Sequence, residues 1–182
     1  MTTANKITLL RILMIPVFMV AMLSQMRYSN VASFIIFVLA SLTDGIDGYI
    51  ARKYNQITSF GKFIDPLADK LLVTSAILIF VEWNQMPAWA AMIIITREFA
   101  VTGLRLVAVG DGTVIAAGLS GKIKTVVSIV SICVMLTPIH DWALVPGRFT
   151  VDALAVFLMV VSTIWSGLEY FVKNHAVLRR TK

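Results

Sequence analysis

Four aspartates, Asp44, Asp47, Asp65 and Asp69, stand within 26 residues of a chain that is otherwise mostly apolar. Long apolar runs flank them on both sides. An ionisable residue within or beside a membrane helix is costly to hold, so it marks a functional site by default. Neighbouring carboxylates repel one another unless a cation or protons neutralise them, and a metal site is the leading reading. No Cys or His stands beside them. Oxygen donors alone favour a hard cation such as Mg²⁺ or Mn²⁺, and four carboxylates suffice for two such ions. Two neighbouring divalent ions suit attack on a phosphoryl group, because they can hold the entering and the leaving oxygen together.

Helices must position these groups. Hydrophobic residues make up 58% of the chain and charged residues only 14%, with a mean hydropathy of +0.85. A soluble domain carries about 25% charged residues, so the composition predicts an all-α integral membrane protein. The chain has 182 residues; at roughly 20 per crossing, one domain of about six helices fits. The apolar runs predict helices at about 7–26, 31–53, 61–82, 88–109, 114–137 and 151–172 of a single membrane domain spanning 1–182. Alternating strands, long Pro/Gly linkers and internal repeats are absent from the pattern. The most turn-like stretches are Asn84 to Pro87 and Pro138 to Gly147. Cys133, the only cysteine, lies in an apolar run; it allows no disulfide within the chain and reads as a small buried hydrophobe. The first apolar run, Ile12 to Leu23, lacks a small-residue cleavage site and is expected to stay as a helix.

Six crossings put both termini on one side, and the basic residues choose the side. Twelve fall on the terminal side (Lys6, Arg11, Arg52, Lys53, Lys62, Arg105, Lys122, Lys124, Lys173, Arg179, Arg180 and Lys182), against Arg27 and Arg148 opposite. The termini are therefore expected in the cytoplasm. The net charge of +6 is spread between apolar runs, as befits an anionic membrane surface rather than nucleic acid. In this topology the second helix ends, and the third begins, at the cytoplasmic face, so all four carboxylates lie at a similar depth. Asp44 and Asp47 are spaced i, i+3, and Asp65 and Asp69 i, i+4, so each pair shares a helix face.

Gly48 follows Asp47 directly, and Gly61 lies one turn before Asp65. A helical glycine costs about 1 kcal/mol, so these positions point to close approach of a ligand, or to close helix packing through small residues. Asp44-x-x-Asp47-Gly48-x-x-Ala51-Arg52, eight residues, then Gly61-x-x-x-Asp65-x-x-x-Asp69 resembles the full signature of the CDP-alcohol phosphatidyltransferases. The resemblance implies their membrane fold, two bound divalent cations (Mg²⁺ or Mn²⁺) and a CDP moiety docked beside them. It implies Asp44, Asp47, Asp65 and Asp69 as metal ligands, with Asp69 also the base that deprotonates the attacking alcohol. Asp44, Gly48, Ala51, Arg52 and Gly61 would line the CDP site. Arg52 would contact the diphosphate or steady the carboxylates; on physical grounds alone it could instead be an anchor to lipid head groups.

A second resemblance concerns the acceptor. Thr96-Arg97-Glu98-Phe99, Val101-Thr102-Gly103-Leu104-Arg105, Gly121-Lys122-Ile123-Lys124-Thr125 and the opening Asn5-Lys6-Ile7-Thr8-Leu9-Leu10-Arg11 are similar to the phosphatidylglycerophosphate synthases. Arg97 and Arg105, eight apart, fall within about 80° on one helix. With Lys122 and Lys124 they would suit the phosphate of glycerol 3-phosphate. Arg97 could instead be half of a buried pair with Glu98. Lys122 and Lys124 fall about 160° apart on a helix, so both do not easily face one ligand, and Lys122 is the favoured one. Asn5, Thr8 and Arg11 share a helix face and either line the nucleotide site or cap and anchor an interfacial helix. His140 and His175 read as solvated, and Trp83 and Trp142 as interface-belt residues.

Together these readings imply transfer of a phosphatidyl group from CDP-diacylglycerol to sn-glycerol 3-phosphate, with the active site facing the cytoplasm from a bacterial plasma membrane; the family resemblance also implies a homodimer. Inositol phosphate, serine or a second lipid are the alternative acceptors; the basic cluster argues against serine. A cation transporter is the rival from another class, but its site would be expected near the membrane midplane.

Overall fold

A computed structural model describes residues 3–24, 28–53, 59–110, 118–141, 143–145 and 149–175. Six helices carry almost all of them: α1 Thr3–Leu23, α2 Ser29–Lys53, α3 Ser59–Glu82, α4 Ala88–Gly110, α5 Leu119–Met135 and α6 Val151–Lys173. A 3₁₀ turn, Pro138–Asp141, and a two-stranded antiparallel hairpin, β1 Ala143–Val145 with β2 Phe149–Thr150, lead from α5 into α6. The hairpin departs from the strand-free expectation. Its strands are too short to leave an alternating pattern in the sequence.

The turn between α3 and α4 follows from its residues. Asn84 takes a left-handed conformation with φ 58°, which asparagine tolerates better than most residues. The Gln85 N–H then donates to the Phe80 carbonyl at 2.9 Å, and the Asn84 N–H to that of Val81 at 3.1 Å. This pair of bonds is the Schellman arrangement that satisfies the last carbonyls of a helix. Pro87 then precedes the first turn of α4.

α1 packs on α2 and α3, α5 on α6, and α6 also on α4. The shared core includes Phe18, Met22, Phe37, Ala40, Ala76, Phe80, Ile94, Ile132 and Met159, all within 2% of full burial. Phe18 and Phe37 join α1 to α2 as a tilted ring pair with centroids 5.8 Å apart.

Large apolar side chains are also abundant outside. Leu10, Leu13, Val17 and Val20 on α1, Ile35, Leu39 and Leu42 on α2, and Phe157, Val161, Trp165 and Leu168 on α6 are exposed. A soluble bundle presents polar residues there, whereas helices apolar on all sides belong in lipid. Among the described residues, one helix, Val151–Lys173, is long and apolar enough by itself to cross a membrane; Ile7–Leu23 and Ser29–Thr43 are shorter apolar stretches. The others are interrupted by charge, as α4 is by Arg97, Glu98 and Arg105.

Candidate active site

The signature lies along two helix ends. Asp44 and Asp47 stand toward the C-terminal end of α2, and Asp65 and Asp69 toward the start of α3, so helical backbone runs through both pairs. The side chains of Asp44, Asp47, Asp65, Asp69, Asn5, Gly48, Ala51, Arg52 and Gly61 lie outside the described residues. Among the described residues no three His, Cys, Asp or Glu side chains form a metal-binding group. The donor chemistry at the signature still fits a hard divalent ion, since it offers carboxylates and no sulfur or imidazole.

Thr8 and Arg11 face inward on α1, 2% and 1% exposed. Arg11 Nε donates to Thr43 Oγ1 at 3.5 Å, a long contact that brings α1 beside the residue preceding Asp44. A buried face of this kind disfavours the interfacial-anchor reading of these two residues.

The most concentrated electrostatics belong to Glu98 on α4. Its Oε1 accepts from Lys124 Nζ at 2.5 Å and from Arg97 Nη1 at 3.2 Å, and its Oε2 accepts from Lys70 Nζ at 2.7 Å. One carboxylate thus joins α3, α4 and α5. All four side chains are largely withdrawn from solvent, Lys124 most of all at 4%. Three cations against one anion leave 3 − 1 = +2 on these four groups. Lys70, Glu98 and Lys124 also line a cavity of about 80 Å³ between α2, α3, α4 and α5. Ser41, Thr74, Thr125 and Ser128 add hydroxyls to its wall.

Arg97 runs between two glycines. A Cβ on Gly167 of α6 would lie 3.2 Å from Arg97 Cγ, and one on Gly121 of α5 would lie 4.0 Å from its Nη2. Small residues on the neighbouring helices therefore make room for the guanidinium. Its buried Nε has no hydrogen-bond partner among the described residues. Arg105, two turns on, takes a different neighbour: its guanidinium lies over the Tyr170 ring, 5.5 Å from the centroid. The structure thus brings Arg97 and Lys124 together at Glu98, and turns Arg105 of α4 away from them toward Tyr170 of α6.

Lys122 is exposed and Lys124 buried, which reverses the expected preference for Lys122. The helix begins at Leu119, and its buried positions include Ser120, Lys124, Ser128, Ser131 and Ile132. That three-to-four-residue recurrence defines the inward face, and Lys122 falls off it. Lys70 is no part of the expected site, and Glu98 enters it only as a possible partner for Arg97. Both are ionisable residues inside apolar runs, the signal that had singled out the aspartates.

A sequence profile described as CDP-alcohol phosphatidyltransferase matches residues 1–167. The chain belongs to the CDP-alcohol phosphatidyltransferase family. It is accordingly a transferase. Among its relatives in that family is a Bacillus subtilis protein named CDP-diacylglycerol--glycerol-3-phosphate 3-phosphatidyltransferase, 46% identical over 96% of each chain. An Escherichia coli protein of the same name is 34% identical over 94% of each. The Glu98 cluster joins α3 at Lys70, the residue after Asp69.

Proposed function

We propose that this phosphatidyltransferase uses CDP-diacylglycerol as donor and sn-glycerol 3-phosphate as acceptor, releasing CMP and leaving phosphatidylglycerol phosphate in the membrane. The observation that carries the reading is the cluster of Lys70, Arg97 and Lys124 on Glu98, adjoining the signature. Cations withdrawn from water bind a phosphate monoester more strongly than the same charges at the surface. The names of the Bacillus subtilis and Escherichia coli relatives support the same pair of substrates.

In this reading Asp44, Asp47, Asp65 and Asp69 hold two divalent cations, Mg²⁺ or Mn²⁺. Bound there, such ions would supply charge stabilisation for the diphosphate and for the departing CMP. Asp69 takes the proton from the 1-hydroxyl of glycerol 3-phosphate. The freed oxygen attacks the β-phosphorus that carries diacylglycerol, an O–P bond forms, and the bond to the CMP oxygen breaks. Arg52, Gly48, Ala51 and Gly61 lie with Asn5 and Thr8 along the nucleotide. Lys124 and Arg97 hold the acceptor phosphate, with Arg105 and Lys122 at its approach.

The same reading sets the six helices across a bacterial plasma membrane as a single multi-pass domain, with termini and active site cytoplasmic and the protein a homodimer. The basic residues of the terminal side support that orientation.

The test is CMP release by purified protein in detergent with CDP-diacylglycerol and Mg²⁺ or Mn²⁺, offering glycerol 3-phosphate, inositol phosphate and serine separately. Release with glycerol 3-phosphate alone, abolished by chelation and restored by metal, is the expected result. Asp69→Asn should lower turnover by about 10² or more. Near-normal turnover of that variant at saturating metal would remove the base assignment, and release with another acceptor would overturn the choice of glycerol 3-phosphate.

A further inference from the structure

Glu98 is placed too centrally to be a simple ion-pair partner. A one-to-one pair would neutralise itself, whereas this carboxylate gathers cations from α3, α4 and α5 at 2.5 to 3.2 Å. Lys70 and Lys124 against Glu98 leave one positive charge at the cavity wall, and Arg97 on the same carboxylate adds a second nearby, opposite in sign to a phosphate monoester, whose charge is about −1.5 to −2 near neutral pH. Glu98 itself would repel such a group, so it does not bind the acceptor directly. Two of its cations, Lys70 and Lys124, line the same cavity as Glu98, together with the hydroxyl-bearing Ser128. Ser128 Oγ is buried there and has no hydrogen-bond partner among the described residues. Lysine reaches its partners through a flexible four-carbon stem and holds no geometry of its own.

We infer that Glu98 is a positioning residue for the acceptor: its carboxylate fixes Lys70 and Lys124 in the wall of the α2–α5 cavity, where their remaining N–H groups and the Ser128 hydroxyl receive a phosphate monoester. Each ammonium has three donors, so one can rest on Glu98 while others meet the ligand. The inference rests on the acceptor assigned above and adds Lys70, Glu98 and Ser128 to its site. It also gives a direction that charge alone does not. Removing the anion raises the local positive charge, which by itself would tighten phosphate binding; losing the fixed geometry loosens it.

The experiment compares wild type, Glu98→Gln, Glu98→Asp, Lys124→Met and the double variant Glu98→Gln/Lys124→Met, each as full-length protein in detergent. CMP release is measured against glycerol 3-phosphate at saturating CDP-diacylglycerol, and then the reverse. Glu98→Gln is expected to raise KM for glycerol 3-phosphate by about tenfold, the scale of a charged hydrogen bond. Its KM for CDP-diacylglycerol should stay within about twofold, and Glu98→Asp should recover part of the loss. In the Lys124→Met background the Glu98 change should cost much less than alone, because coupled residues are not additive. An unchanged or lower KM for glycerol 3-phosphate overturns the inference, as do equal rises in both KM values or full additivity. Should Glu98→Gln fail to fold, seen as loss of thermal stabilisation by CDP-diacylglycerol, Lys70→Met and Lys124→Met decide: both must raise KM for glycerol 3-phosphate selectively, and failure of either overturns it. Wild-type protein that releases no CMP with glycerol 3-phosphate overturns the functional reading itself, a result distinct from any effect at Glu98.

Discussion

Arg97 is the residue whose surroundings say most about how this site is built. A long side chain with a permanent charge is threaded past Gly167 and Gly121 to reach Glu98. The two glycines differ in how much they leave free. A methyl on Gly167 would press on the middle of the Arg97 stem at 3.2 Å, while one on Gly121 would make ordinary contact with its far end at 4.0 Å. Alanine gains up to about 1 kcal/mol over glycine in a helix, but overpacking costs about 1–3 kcal/mol. Gly121→Ala should therefore hold or raise the thermal stability of the protein in detergent, and Gly167→Ala should lower it. Equal behaviour of the two would contradict the threaded arrangement. Part of this residue-scale detail is legible in the sequence, where a buried pair with Glu98 is one of the two readings of Arg97. Lys70 is not, because a lysine after an aspartate carries no mark of which helix it will meet.

At the scale of elements, the turn from α3 to α4 shows how local chemistry fixes a helix pair. Asn84 at φ 58° lets two consecutive N–H groups satisfy the end of α3, and the reversal sets Lys70 opposite Glu98. Asn84→Val should cost about 1–2 kcal/mol, since a β-branched residue resists the left-handed region, while Asn84→Gly should be close to neutral. Thermal unfolding in detergent would measure both. The sequence marked this turn and the six apolar runs, because each is written in local spacing. It did not mark which of Lys122 and Lys124 turns inward, since that depends on where α5 begins, and Gly118 takes an extended conformation just before Leu119. Nor did it mark the hairpin β1–β2, whose pairing is tertiary.

For the whole molecule, the multi-pass reading proposed above needs an apolar girdle to meet lipid. Exposed apolar residues such as Val17, Leu39, Val161 and Leu168 would supply it. Twelve basic residues on the terminal side against two opposite then predict the orientation. In a Cys133→Ser background, which removes the only native cysteine, an impermeant maleimide should label Asn84→Cys on intact cells. Thr181→Cys should react only after permeabilisation. The opposite pattern would invert the topology and move the proposed acceptor site away from its cytoplasmic substrate.

The bonds to Glu98 also impose an order on biogenesis. Lys70 leaves the ribosome 28 residues ahead of Glu98, and Glu98 26 ahead of Lys124. In the multi-pass reading proposed above, the tight reversal at Asn84 lets α3 and α4 enter the bilayer as a hairpin in which Lys70 and Glu98 already offset one another, sparing each a lone charge in lipid. Lys124 arrives afterwards on α5, to a carboxylate already in place. If Lys124 holds the acceptor as proposed, a nascent chain stays without a finished acceptor pocket until its fifth helix is in place, and the newborn enzyme is silent until then.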